Sequence, residues 1–206
     1  MTIEVLYAML LLLARIEMPT VEDGSPRHVA YLAGMHEMAG HYVEVGKRGA
    51  IVSAEVDPLI LAAIGYGESR HQPRVKDGDC VGAGLKPVCA VVGPMQVHRG
   101  TMRWLATVDP SWRGVSVAQL REPRRNVEAA YQLLAYHRGI CGADGGPARL
   151  ISAWASGRCW PRAIATGSNR CHLASAMAAH AGLEPLACEG NVRSRSFSRL
   201  ISALRP

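Results

Sequence analysis

The dipeptide Asp57-Pro58 introduces the unbroken apolar run Leu59-Ile60-Leu61-Ala62-Ala63-Ile64, which ends in Gly65-Tyr66-Gly67-Glu68-Ser69. Asp as N-cap followed by Pro at the first helical position is a strong helix start. The spacing predicts a core helix from Pro58 to about Ser69, and Pro73 prevents it from continuing far. Counting back from Glu68, positions i−4 and i−7 are Ile64 and Leu61, and position i−3 is Gly65. The carboxylate therefore falls on the apolar stripe rather than opposite it. A carboxyl held against apolar neighbours has a raised pKa and can stay protonated near neutrality, as a general acid must. Gly65 and Gly67 weaken the helix end but would leave room for a bulky ligand. The same pattern also describes a glutamate at a fraying helix end, reaching out to water, and periodicity alone leaves both open.

Further helices are expected over 3–16, from about 28 to 45, and over 101–108, 124–138 (closed by Gly139), 147–156 and 172–182 (closed by Gly182). A short amphipathic basic helix is expected in the last ten residues. Hydrophobic residues make up 49% of the 206 and charged ones 19%, enough apolar material for a substantial core. Aromatic residues are few, with a single phenylalanine, whereas small and aliphatic residues dominate and favour close-packed helices. The expected class is mainly α, with at most a small β-hairpin near residues 88–97, where Val91, Val92 and Val97 favour extended backbone. Three segments are expected: an N-terminal helical extension, 1–50, packed on the core; a core, 51–165; and a basic, cysteine-containing helical extension, 166–206.

The net charge of +6 suits an anionic polymer, either nucleic acid or cell wall. Basic residues gather at Arg121, Arg124 and Arg125, and again at Arg193, Arg195, Arg199 and Arg205. Few aromatics interleave them and no helix-turn-helix stands out, which ranks nucleic acid low. Six cysteines without a Cys-x-x-Cys pair argue against zinc and for disulfides in an oxidising compartment. By proximity the attractive pair is Cys80 with Cys89, flanking a glycine-rich segment. The apolar stretch at 5–16 is too short to cross a membrane, and it lacks the basic flank and small-residue cleavage site of a signal peptide. It reads as a buried helix, and no stable membrane insertion is expected.

The segment His36-Glu37-Met38-Ala39-Gly40-His41 invites comparison with a zinc-protease helix, which needs histidines four residues apart. Here they are five apart, and five residues of helix rotate His41 about 140° away from His36. One ion could not readily be held by both, so no metal is expected.

Four stretches follow one another in order: "ESRHQP" at 68–73, "GPMQVH" at 93–98, "LREPRRNVEAAYQLL" at 120–134 and "LISAWASG" at 150–157. This succession resembles the lysozyme-like lytic transglycosylases, related to goose-type lysozymes. Those proteins carry a catalytic Glu-Ser, a Gly-Leu-Met-Gln turn, a Pro-x-x-Asn-Ile helix and an Ala-Tyr-Asn-Ala-Gly helix end. The resemblance spans roughly residues 57–157. It implies Glu68 as the catalytic acid and base, with Ser69, His71, Met95, Gln96 and Trp154 along the substrate groove. Asn126 would be structural, and Trp154 would stand where the family has a tyrosine. Departures are His71 in place of an aromatic residue, Pro94 in place of leucine and Ala155 in place of asparagine. Asp77 and Asp79, in the loop between, are possible second carboxylates that would position water, although "KDGD" is also ordinary turn chemistry.

The implied activity is cleavage of the β-1,4 bond between N-acetylmuramic acid and N-acetylglucosamine in peptidoglycan glycan strands, without a cofactor. The expected outcome is a lytic transglycosylase forming 1,6-anhydro ends. The alternatives are a hydrolytic lysozyme or endolysin of the same fold, and a non-catalytic wall-binding or phage-tail structural protein. The chain is expected to act as a monomer in an extracytoplasmic setting.

Overall fold

The computed structural model describes residues 1–17, 25–75, 78–81, 88–141, 146–156 and 164–204. Among these, nine α-helices surround a small sheet: α1 (Ile3–Glu17), α2 (Pro26–Gly46), α3 (Asp57–Ser69), α4 (Arg99–Val108), α5 (Val117–Leu120), α6 (Pro123–Cys141), α7 (Gly146–Ser156), α8 (Ile164–His180) and α9 (Arg195–Ala203). The strands β1 (Gly78–Val81), β2 (Val88–Val92) and β3 (Val97–His98) pair antiparallel in that order. The expected hairpin is thus β2–β3, extended by β1 at one edge. Cys80 and Cys89 are register partners across β1 and β2.

Helix α3 is enclosed by α2, α6 and α8. Every residue from Leu59 to Ile64 is fully buried, the outcome required of a helix that is apolar on all sides. Its start differs from the sequence expectation. Asp57 is the first helical residue rather than the cap, and its carboxylate reaches back over the preceding loop. It accepts the N–H groups of Ile51 (2.8 Å), Val52 (2.6 Å) and Ser53 (3.1 Å). Three converging donors hold it there more firmly than a single cap bond would. Tyr131 of α6 donates to the same carboxylate at 3.4 Å.

The two N-terminal helices pack on this core. Leu6, Met9, Leu10 and Leu13 of α1 are buried at helical spacing, and α1 lies against α2 and α9. Helix α2 begins as its sequence dictates, with Ser25 Oγ accepting the His28 N–H and Pro26 opening the helix. Helix α6 runs through Gly139 to Cys141, so that glycine does not close it. A Cβ there would meet nothing within 4 Å, so neither geometry nor crowding makes Gly139 a stop.

The turn Gly93-Pro94-Met95-Gln96 joins β2 to β3 and is closed by the Gln96 N–H on Gly93 O at 2.9 Å. Asn126, buried in the first turns of α6, clamps it. Its Oδ1 accepts the Met95 N–H at 2.7 Å, and its Nδ2 donates to Val92 O (2.9 Å) and Leu120 O (2.8 Å). One amide thereby ties the sheet turn to the end of α5. This is the structural role expected of Asn126.

Beyond α8 the chain doubles back as a strap, residues 184–193. Ser175 Oγ donates to Leu186 O, His172 bonds Gly190 O, Ser168 Oγ donates to Asn191 O, and Asn169 Oδ1 accepts the Arg193 N–H. A disulfide joins Cys171 to Cys188, and Glu189 pairs with Arg149 of α7 at 3.5 Å. The strap leads into α9, whose Leu200, with Leu204 just beyond the helix, is buried while Arg195 and Arg199 face solvent.

Two outcomes follow from these contacts. Asn126→Ala leaves three buried backbone groups without partners and should lower unfolding stability by about 3 kcal/mol, read as a shift in the urea midpoint. Replacing Cys171 and Cys188 by serine removes a cross-link spanning 17 residues. The same measurement should then fall by about 3 kcal/mol, from restored chain entropy in the unfolded state.

Candidate active site

Glu68 stands one residue before the C-terminal end of α3, where the chain reverses abruptly. Arg70 and His71 both adopt left-handed backbone, with φ of 54° and 61°. The His71 N–H reaches Gly65 O at 3.5 Å and the Arg70 N–H reaches Tyr66 O at 3.2 Å, satisfying the last carbonyls of the helix. Neither residue is glycine, so the turn stores backbone strain of about 1 kcal/mol or more per residue, held by the surrounding packing. That packing is the buried His71 ring, set 5.9 Å from the Tyr42 ring and 5.7 Å from the Tyr66 ring. Burial, reinforced by the Arg70 charge, pushes the His71 imidazole down to about 3, so it is neutral at physiological pH.

Above this base the Glu68 side chain remains one-fifth exposed and meets two partners from distant parts of the chain. Arg170 of α8 donates through Nη2 to Glu68 Oε1 at 2.6 Å. The indole of Trp154, on α7, lies within interaction range of the same carboxyl and lowers its pKa. Desolvation raises the Glu68 pKa; the Arg170 charge and the Trp154 indole pull against it, and burial prevails. The carboxyl is therefore tuned towards holding a proton while remaining reachable from one side.

The two glycines of α3 do not leave open space. A Cβ at Gly65 would collide with the Tyr42 hydroxyl, and one at Gly67 would lie 2.6 Å from Arg170 Nε and 3.0 Å from Nη2. The room expected for a ligand is occupied by protein, because α2 and α8 approach the α3 backbone at these positions.

Of the residues expected along the groove, Trp154 is brought to Glu68. Gln96 is partly exposed on the β2–β3 turn, with φ of 48° and Nε2 donating to Gly93 O at 2.8 Å. Met95 is fully buried, and its backbone is held by Asn126. Ser69 is nearly buried, and its Oγ donates to Gly65 O at 3.1 Å, a bond within α3. His71 lies beneath the site, 2% exposed. These three side chains thus face protein and form the support of the site. Asp77 lies outside the described residues. For Asp79, Cys80 and Cys89 the strand backbone is described and the side chains are not.

Arg170 was not anticipated from the sequence. The signal for it is slight: a lone cation just before Cys171, in a helix whose Leu173, Ala174, Met177 and Ala178 are all fully buried. The histidines of α2 have separate partners, His36 edge-on to Tyr7 at 4.8 Å and His41 against Glu37 at 3.7 Å. The basic cluster on α6 is largely paired within the chain, Arg124 with Glu44 and Arg125 with Glu128.

Residues 48–163 match the family model described as the transglycosylase SLT domain. No curated protein and no solved structure gives a significant match. The matched segment runs from the loop before α3 to the end of α7 and beyond, so it holds Glu68, the sheet turn, Asn126 and Trp154. It spans more than half of the chain, in a mainly helical, lysozyme-like architecture. The chain belongs to the transglycosylase SLT domain family of peptidoglycan-cleaving enzymes.

Proposed function

We propose that the protein is a lytic transglycosylase that cuts peptidoglycan between N-acetylmuramic acid and N-acetylglucosamine, with Glu68 as both acid and base. The observation that carries this reading is the state of Glu68. It is a largely enclosed carboxyl whose pKa is raised by burial, at the end of a rigid core helix and with one-fifth of its side chain still open to solvent.

Protonated Glu68 gives its proton to the glycosidic oxygen as the bond to the muramic C1 breaks, releasing the N-acetylglucosamine hydroxyl. Positive charge builds on the muramic ring, where the sugar's own N-acetyl oxygen assists; substrate-assisted glycosidases dispense with a second carboxylate in this way. Glu68, now a carboxylate, removes the proton from the muramic C6 hydroxyl. That oxygen attacks C1, closing the 1,6-anhydro ring and restoring the acid. Attack by water at the same stage would instead give simple hydrolysis, with Asp77 or Asp79 available to position it.

Trp154 serves this reaction twice, by lowering the Glu68 pKa and by offering an aromatic face to a sugar ring. Gln96 is the polar contact for an N-acetyl group from the β2–β3 turn. Met95, Ser69 and His71 act from below by fixing the turn and the helix end. The catalytic core is assigned to 51–165, with 1–50 and 166–206 as packed extensions, in keeping with the matched segment 48–163. A peptidoglycan substrate and the Cys171–Cys188 bridge fit an extracytoplasmic setting, and among the described residues no helix is long and apolar enough to cross a membrane.

Glu68→Gln keeps an oxygen for Arg170 and should fold normally. Its rate of turbidity loss on purified cell walls should fall about a thousandfold, the scale of a lost general acid. Mass spectrometry of the parent enzyme's digest should show 1,6-anhydromuramic ends. Reducing ends would mark a hydrolase, and undiminished activity in Glu68→Gln would remove Glu68 from the chemistry.

A further inference from the structure

Arg170 lies on α8, seven residues beyond the matched segment and 102 residues from Glu68 in sequence. Its side chain is nine-tenths buried, and its Nη2 meets Glu68 at 2.6 Å. Its other guanidinium nitrogens, Nε and Nη1, are buried without a hydrogen-bond partner among the described residues. A cation desolvated to this degree is costly unless paired, and Glu68 is its ion-pair partner. Two further features accommodate it. Gly67 lets the guanidinium lie against the α3 backbone, where any Cβ would force it away. The strap fixes the helix segment on either side of it, through Ser168, Asn169, His172 and the bridge at Cys171.

We propose that Arg170 is the positioning residue of Glu68: it sets the direction of the carboxyl and stabilises the anion left when the proton passes to the leaving oxygen. The inference rests on the reading of Glu68 as acid and base. In the first half of the reaction the guanidinium receives the charge that appears on Glu68. In the second half the same contact keeps the carboxylate aligned until it recovers a proton. Without Arg170, only the Trp154 indole would oppose the effect of burial on the carboxyl. It would then hold its proton too firmly to donate well and swing more freely about its side-chain torsions.

The groups facing Glu68 leave Arg170 as the charge that matters. Helix α7 presents the neutral Trp154. Helix α2 places Tyr42, kept neutral because burial raises its pKa, against Gly65 and His71. The turn after α3 carries neutral His71 and the Arg70 cation, whose guanidinium bonds Tyr66 O and lies over the Tyr66 ring. Helix α9 reaches α3 through Phe197 against Tyr66, and α6 reaches it at the opposite end, through Tyr131 and Asp57.

The test compares pH–rate profiles of the parent, Arg170→Met, Arg170→Lys and Gly67→Ala, together with the NMR titration of the Glu68 carboxyl carbon. Loss of the cation raises the Glu68 pKa, and the acid form is the active one. The alkaline limb of kcat/KM should therefore move to higher pH in Arg170→Met, with kcat at the parent's optimum down about a hundredfold. Arg170→Lys should restore the limb to near its parental position and recover part of kcat. Gly67→Ala, which improves helix propensity but displaces the guanidinium, should shift the limb as Arg170→Met does, and it keeps the question answerable if Arg170→Met fails to fold. The carboxyl titration should shift in the same direction without any need for activity. Unmoved limbs and an unmoved titration, with Glu68→Gln inactive, would overturn the role of Arg170 alone. An active Glu68→Gln would instead overturn the reading of Glu68.

Discussion

The enclosure of α3 is the constraint on which the structure depends. A helix with apolar residues on every side cannot lie on a surface, so α2, α6 and α8 must close around it. Its two ends are then the only places where polar chemistry can be admitted, and both carry a carboxylate. At the N-terminal end Asp57 is saturated by loop N–H groups and Tyr131, and serves architecture. At the C-terminal end Glu68 is left with two partners and an open side, and is the acid to which the proposed chemistry is assigned. The difference between the two acids is set by their partners and exposure.

The same logic governs the support beneath Glu68. The sharp reversal at Arg70 and His71 ends the helix one residue after Glu68, so the carboxyl is not buried by a further turn. That reversal needs a filled volume behind it, supplied by His71, Tyr42 and Tyr66. Asn126 plays the corresponding part on the sheet side, where one amide sets the turn that carries Gln96. Rigid elements thus hold the acid and the turn each in a fixed place, and preorganisation of this kind lowers the entropic cost of aligning a polymeric substrate.

Much of this was legible in the sequence, for local reasons. Helix α3 was expected within a residue of its start, since Asp57-Pro58 fixes the backbone where it stands, whereas α2 begins at Pro26, ahead of the start expected near residue 28. Glu68 was singled out by its place on an apolar stripe, and Asn126 by its position in a motif. What stayed hidden was set by contacts distant in sequence. The strand β1 sits in a Gly-Asp-Cys stretch that reads as a turn and becomes extended by pairing with β2. The carboxylate of Asp57 left its capping position because three N–H groups from the loop compete for it. Gly65 and Gly67 looked like space for a ligand, yet their neighbours Tyr42 and Arg170 are supplied by helices whose approach no local pattern records. Arg170 reaches Glu68 across 102 residues, a distance at which periodicity carries no information.

The strap along α8 has a consequence for the life history of the chain. A thiol bridge persists where thiols are oxidised, so in reducing surroundings the strap is held to α8 by its hydrogen bonds and packing without the cross-link. The cross-link beside Arg170 is one that forms in an oxidising compartment, and the peptidoglycan on which the family acts lies outside the cytoplasm. Oxidation of the strap and access to that polymer thus call for the same kind of surroundings.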